Sequence, residues 1–197
     1  MATQIKGAVI LNCIAFLRET ASSVRYEKLV SQCPVETRQL LSRSFMAVEW
    51  LNVDLWTPFL QVLHDDVARR DEVKFRRLIR AVCQRDFQSV YRPYVQKSNP
   101  LALCGKLQTI WSAFIDGGTL SNAVVSHKGN TTSVVVHLRD LETNSAIMPL
   151  VIQAYLEQLL SMVGAKDCVV STSNVARSAS GCLSCEFEMS FQREPSR

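Results

Sequence analysis

The sequence has 197 residues with a hydrophobic content of 47% and a charged content of 20%, which excludes a disordered chain and fits one globular domain. No apolar run approaches the roughly 20 residues that a membrane-crossing helix needs. The net charge of +4 arises in residues 1–100, which carry 15 basic and 10 acidic residues, against 7 and 8 in residues 101–197. A basic excess confined to part of the chain does not indicate general nucleic-acid binding.

Apolar residues recur at helical spacing through residues 1–117, which predicts a layer of helices. The predicted helices span Ile5 to Thr20, Tyr26 to Gln32, Val35 to Arg43, Val53 to Arg70, Asp71 to Tyr91 and Leu101 to Ile115. The start of the first has no small-residue cleavage site, so we expect a buried helix rather than a signal peptide. The fifth carries Phe75, Ile79, Val82 and Val90 on its apolar face.

Residues 118–191 predict a sheet of four strands crossed by one helix. The strands span Leu120 to Ser126, Thr132 to Leu138, Cys168 to Thr172 and Leu183 to Phe191, and the helix spans Ile147 to Val163. In the last strand Phe187 and Phe191 share a face, which we expect to be buried. The predicted fold class is α+β, in which an N-terminal helical layer packs on a C-terminal, mostly antiparallel ββαββ sheet. We expect a single domain that ends in a frayed tail at residues 192–197.

Several short motifs, spread over nearly the whole chain, resemble one family. They are Ile5-Lys6-Gly7 leading into Phe16-Leu17-Arg18-Glu19, the apolar Trp50-to-Leu55 connection, Pro100-Leu101 before Trp111 and Gly118, and Gly181-x-x-x-Cys185-x-Phe187. The family consists of uncharacterised proteins abundant in myxobacteria. It is similar to the superfamily of haem nitric-oxide sensors, 4-vinyl-reductase ligand domains and Bet3-like vesicle-tethering subunits. The resemblance implies an apolar cavity between the helical layer and the sheet, and a homodimer.

One histidine is a candidate haem ligand, because His64 lies on a predicted helix. It sits at the edge of the apolar face of that helix rather than at its centre. The resemblance implies that a haem sensor also carries a Tyr-x-Ser-x-Arg motif, which this chain lacks, and Arg92 follows Tyr91 directly. We therefore expect a boundary histidine and no bound cofactor.

The seven cysteines are an odd number and lie mostly in apolar segments, which favours free thiols in the cytoplasm. Cys182-x-x-Cys185 has the spacing of a metal or redox pair, and Cys168 lies on a neighbouring predicted strand. A zinc site would need a further ligand such as His127 or His137. A redox pair normally sits at a helix N-terminus, whereas this one enters a strand. We favour structural thiols and expect no metal.

A basic segment between Arg69 and Arg92 carries eight basic and three acidic residues. One interpretation is that these residues form a solvent-exposed helix face. The other is that they form a surface that binds an acidic protein, and a nucleic acid or a membrane is less favoured as the partner. The candidate partner-binding residues are Arg69, Arg70, Arg76, Arg77, Arg80, Arg85, Tyr91, Arg92 and Tyr94.

Large apolar side chains are numerous in the helical layer and predict self-association. They are Phe45, Met46, Trp50, Trp56, Tyr91 and Tyr94. A single layer of helices does not bury this many large apolar side chains, and those that stay exposed usually mark an interface. A two-fold dimer is the commonest arrangement of such an interface. The competing interpretation is that the Phe45–Trp50 connection folds back over the core of its own chain.

Catalytic motifs are missing from the sequence, which has no Gly-rich phosphate loop, nucleophile elbow or HExxH motif. We therefore expect a non-enzymatic protein-interaction module, dimeric and acting in signalling or scaffolding. The alternative is a small-molecule sensor that binds an apolar ligand in the cavity between helices and sheet.

Overall fold

A computed structural model describes residues 2–89, 91–96 and 98–192, and these form the predicted α+β architecture. The helices are α1 (Gly7–Thr20), α2 (Ser23–Ser31), α3 (Val35–Ser42), α4 (Val53–Val62), α5 (Glu72–Gln88), α6 (Arg92–Val95), α7 (Pro100–Cys104), α8 (Leu107–Phe114) and α9 (Met148–Met162). The strands are β1 (Gln4–Lys6), β2 (Trp50–Asn52), β3 (Ile115–Asp116), β4 (Thr119–Lys128), β5 (Thr131–Glu142), β6 (Lys166–Arg177) and β7 (Cys182–Gln192).

The large sheet has the strand order β4-β5-β7-β6, and every neighbouring pair is antiparallel. Alternation along β7 places Phe187 and Phe191 on the buried face, where they are 0% and 2% exposed, so the predicted register is confirmed. The strands run further than predicted, and Gln192 still pairs with Thr131 and Lys166. A tail that begins at Gln192 is therefore wrong, and residues 193–197 lie outside the described part of the chain, as does Val90.

Helix α9 is buried on two sides, because it packs against β6 of the large sheet and against α5 of the helical layer. Buried residues accordingly occur around its circumference, including Ile152, Ala154 and Leu160. Among the described residues, no helix combines the length and hydrophobicity needed to cross a membrane.

Two of the predicted helices are interrupted in the structure. Helix α4 passes at Leu63 into a π-helical turn, and the chain then leaves the helix at Arg69 and Arg70, which have left-handed φ angles of 56° and 60°. The predicted helix from Leu101 to Ile115 is divided into α7 and α8 at residues 105–106, and Ile115 belongs to β3. Short helix α6 lies outside the predicted helices, and Pro93 occupies a first-turn position in it.

A second, three-stranded sheet joins segments that are far apart in the sequence. Strand β1 lies between β2 and β3, and Ile5 pairs with both Leu51 and Ile115. These residues were predicted to lie in helices and a connection, because strands of two or three residues carry no detectable alternation.

The Phe45–Trp50 connection folds back onto α1 of its own chain. The amides of Gly7 and Ala8 donate to the carbonyls of Glu49 and Ala47 at 2.8 and 2.9 Å. A Cβ atom at Gly7 would lie 2.3 Å from the carbonyl oxygen of Met46, so this close approach requires glycine. The structure therefore supports the competing interpretation of this segment.

We predict that Phe187→Ala lowers the free energy of unfolding by roughly 3–5 kcal/mol, since it leaves a cavity under the centre of the large sheet. Urea denaturation at constant pH measures the change. Glu188→Ala is the matched control, because Glu188 is the adjacent, exposed residue of β7. Equal effects of the two substitutions would contradict the register described above.

Candidate functional site

A cavity of about 90 Å³ lies among the helices. Apolar side chains of α1, α4, α5, α8 and α9 form most of its wall, including Val9, Trp56, Val82, Trp111 and Val151. From the large sheet, Leu120 reaches the cavity. The resemblance placed such a cavity between the helical layer and the sheet. Here it lies one layer further out, because α9 covers the sheet and forms the cavity wall on that side.

A buried carboxyl group stands next to this cavity. Asp86 of α5 is fully buried and accepts hydrogen bonds from Asn12 Nδ2 of α1 at 2.6 Å and from the Tyr155 hydroxyl of α9 at 2.7 Å. Burial raises the pKa of Asp86 to about 7, although both hydrogen bonds act to lower it. Because Tyr155 also lines the cavity, this network connects the apolar wall to a buried polar group.

Two buried thiols lie near the same network. Burial, and secondarily the charge of Asp86, raises the pKa of both Cys13 and Cys83. A thiol whose pKa is raised is protonated at neutral pH and is a poor nucleophile or metal ligand. Cys13, which lines the cavity, therefore contributes a small apolar surface rather than reactivity.

Asp86 was missed in the sequence analysis, where it counted only as one of three acidic residues in a basic segment. Its position carried a signal, because it follows Ile79, Val82 and Cys83 at helical spacing and so falls on the apolar face of α5. A carboxyl group on such a face is either paired or functional. Its partners could not have been named, because Asn12 and Tyr155 come from other elements.

The three candidate thiols are not brought together. Cys185 is buried on the inner face of β7, whereas Cys182 is partly exposed. Cys168 directly precedes Val169 in β6, and Val169 pairs with Ser190 of β7. Ser190 is five residues, or about 17 Å, along β7 from Cys185. Within the described residues, no group of three His, Cys, Asp or Glu side chains is arranged to hold a metal ion. A joint site of these cysteines is therefore wrong.

Several arginines of the basic segment are paired with other side chains of the described part of the chain. Arg76 forms an ion pair with Glu157 of α9, and Arg80 Nε donates to Gln158 Oε1 at 3.3 Å. Arg85 donates to Glu19 Oε1 of α1 at 2.9 Å, and Arg70 Nε lies 3.3 Å from Asp65 Oδ1. These arginines join elements of the same chain. Arg69, Arg77 and Arg92 are exposed, and Tyr94 is partly buried.

The proposed surplus of apolar side chains is also smaller than predicted. Trp56 is 2% exposed and Tyr91 is 6% exposed, so neither is available to a partner. Tyr91 instead stacks on Phe114, with ring centroids 3.9 Å apart. Met46 stays exposed, whereas Phe45, Trp50 and Tyr94 are partly buried. Self-association remains a prediction, with less support from these residues.

No protein-family model and no curated protein matches the sequence, but solved structures do. A point variant of Tt H-NOX has a TM-score of 0.66 and 10% identity, with 98% of each chain covered. An unliganded Fe(II) H-NOX mutant from K. algicida has a TM-score of 0.63 and 11% identity, with 96% of this chain and 97% of that chain covered. An oxygen complex of an H-NOX domain related to soluble guanylate cyclases has a TM-score of 0.61 and 8% identity, with 98% and 100% covered.

The chain has the H-NOX fold. This agrees with the haem nitric-oxide-sensor branch of the superfamily that the sequence resembles. At such low identity the likeness establishes the fold and leaves the ligand to be argued from the site itself.

The residues of the cavity do not fit a haem. Haem iron is held by His, Cys thiolate, Met or Tyr, and the described residues that line the cavity include Cys13, Met148 and Tyr155 but no histidine. Burial raises the pKa of Cys13 and of Tyr155, which disfavours the anionic forms that bind iron. The volume of about 90 Å³ is also far below the roughly 300–1,000 Å³ of pockets for larger ligands.

His64 lies at a boundary, as predicted. Its side chain is 15% exposed, its Nδ1 lies 3.1 Å from Asp65 Oδ1, and its ring meets the edge of Phe75 at 5.3 Å. The side chain is thus held by groups outside the cavity.

We predict that the protein purifies without colour and does not retain haem after incubation with hemin and gel filtration. The reason is the absence of an anionic or imidazole ligand in the described cavity wall. Visible absorption spectroscopy tests this, and free hemin carried through the same column is the control. A Soret band at one haem per chain that disappears in His64→Ala would overturn it.

We predict that Asp86→Asn flattens the dependence of stability on pH. The folded-state pKa of Asp86 is raised from its ordinary value of 3.8 to about 7, so the folded state holds a proton that the unfolded chain releases in this range. Its contribution to stability is therefore fully present below about pH 4 and is lost as pH rises to 7, by at most about 1.4 kcal/mol per pH unit. Urea unfolding from pH 4 to 8 measures the difference between wild type and variant. Glu188→Gln, an exposed carboxyl change, should leave the wild-type profile intact.

Proposed function

We propose that this chain is a small-molecule sensor domain that binds an apolar ligand in the helical cavity without haem. The observation that carries the proposal is an apolar cavity between the N-terminal helices and α9 in an H-NOX fold. Empty apolar cavities of this kind stay dry and take up small apolar molecules. One of the similar solved structures is an oxygen-binding H-NOX domain in its oxygen complex, so a domain of this fold binds a small molecule.

The volume restricts the ligand. About 90 Å³ is less than the roughly 150 Å³ of an engineered cavity that binds benzene. The ligand is therefore a dissolved gas, a very small hydrocarbon or a short alkyl group. The apolar wall stabilises the ligand through dispersion contacts and by removing it from water. The Tyr155 hydroxyl already donates its hydrogen bond to Asp86.

Helix α9 is positioned to report occupancy of the cavity. One face of α9 lines the cavity through Val151 and Leu159, and the helix packs against β6 elsewhere. Arg76 and Glu157 link α5 to the same helix. A ligand that shifts α9 therefore changes the packing of the large sheet, which is the differential contact that a sensor needs.

The protein-interaction module that the sequence favoured has less support, because many of the proposed contact residues are engaged within the chain. The non-enzymatic role, membership of the myxobacterial family and a cytoplasmic location remain proposals. The last is supported by seven free thiols.

We predict that Val82→Phe weakens binding of xenon by about tenfold or more, since the larger side chain takes up the space that the ligand needs and overpacking costs about 1–3 kcal/mol. Trp56 and Trp111 are in the cavity wall, so their fluorescence provides the measurement. Val73→Phe is the matched control, because Val73 lies on the same helix and is 58% exposed. Unchanged affinity in Val82→Phe, with the fold intact by circular dichroism, would contradict the proposed function.

A further inference from the structure

A second concavity adjoins the cavity at one residue. It is a surface cleft of about 680 Å³ between the C-terminal end of α5, helix α6 and the end of α9. Phe87 lines both the cleft and the buried cavity. Its ring is 1% exposed and packs at 5.1 Å from Phe114 and 6.1 Å from Tyr91. The Phe87 side chain is therefore a wall common to both spaces.

The chemistry of the cleft differs from that of the cavity. The cavity wall is apolar, whereas the cleft combines Met162 with the amides of Gln88 and Gln96, the Ser98 hydroxyl and the Arg92 guanidinium. A ligand that fits both must be apolar at one end and polar at the other.

The charge of the cleft selects the polar end. Arg92 is exposed and has no carboxylate partner within the described part of the chain, unlike Arg76 and Arg85. None of the described residues that line the cleft is acidic. Ser98 Oγ is buried and makes no hydrogen bond to any described residue. A buried hydroxyl without a partner is costly, and a carboxylate beside it would accept a hydrogen bond from it.

We infer that the ligand is a short-chain alkyl carboxylate whose chain enters the cavity past Phe87 and whose head binds Arg92 and Ser98. This rests on the proposed function and names the class of its ligand. The cavity volume of about 90 Å³ admits only the end of such a chain, and the apolar lining residues of the cleft, Val95, Met162 and Val163, are available to the remainder. Hydrogen bonds from arginine to a carboxylate are charge-assisted and roughly twice as strong as neutral ones.

The test compares alkyl carboxylates of four to ten carbons with the corresponding primary alcohols, by calorimetry and tryptophan fluorescence on the full chain. We expect the carboxylate of the best length to bind about tenfold more tightly than its alcohol. Arg92→Gln should remove this difference without changing the affinity for the alcohol. Arg77→Gln, at an exposed arginine of α5 outside the cleft, should leave both affinities unchanged. Ser98→Ala should weaken the carboxylate selectively.

Competition shows whether one ligand spans both spaces. Xenon should compete with the alkyl carboxylate but not with acetate, which is too short to pass Phe87. Equal affinities for carboxylate and alcohol, or a carboxylate affinity that survives Arg92→Gln, would overturn the inference while xenon binding keeps the proposed function intact. Failure of xenon to bind wild type would instead overturn the proposed function.

Discussion

The hydrogen bonds of one buried carboxyl group tie the helical layer together. Asp86 of α5 accepts from Asn12 of α1 and from Tyr155 of α9, so three helices that are far apart in sequence meet at a single side chain. Truncating either donor would leave a buried oxygen without its partner, which costs more than the bond contributes. This satisfaction requirement fixes the position of α9 relative to α1. The network therefore joins α1, α5 and α9 beside the cavity that all three helices line.

Helix α9 serves two surfaces at once, and this arrangement explains where the cavity lies. Its sheet-facing side completes the core above β6, and its other side faces the N-terminal helices. Large side chains such as Trp56 and Trp111 line the space without filling it. Cores normally exclude such voids, because each unfilled volume loses dispersion contacts. A void retained beside a satisfied polar network is typical of a site built to receive something.

The parts of the fold that were predicted correctly are those that a local sequence pattern determines. Alternation along β7 identified the buried face through Phe187 and Phe191, because a strand with one buried side has period two. The three short strands around Ile5 were missed, since their pairing depends on residues brought together only by tertiary folding. The same reason applies to the site. In the sequence the arginines of α5 resemble solvent-exposed residues, and only the fold shows that one of them, Arg76, pairs with Glu157 of α9. Asp86 likewise resembles a surface charge, and only the fold shows that it accepts a hydrogen bond from Tyr155.

Through the small sheet around Ile5, one end of the cavity depends on residues that are far apart in the sequence. Ile5 and Ile115 both line the cavity, and they pair with each other across a loop of 110 residues (115 − 5). Loop-closure entropy opposes such a contact until the intervening helices have folded. We therefore expect this end of the cavity to form late in folding. A ligand that contacts both isoleucines would favour the closed loop over the open one, so occupancy acts on the order in which the chain assembles as well as on the finished structure.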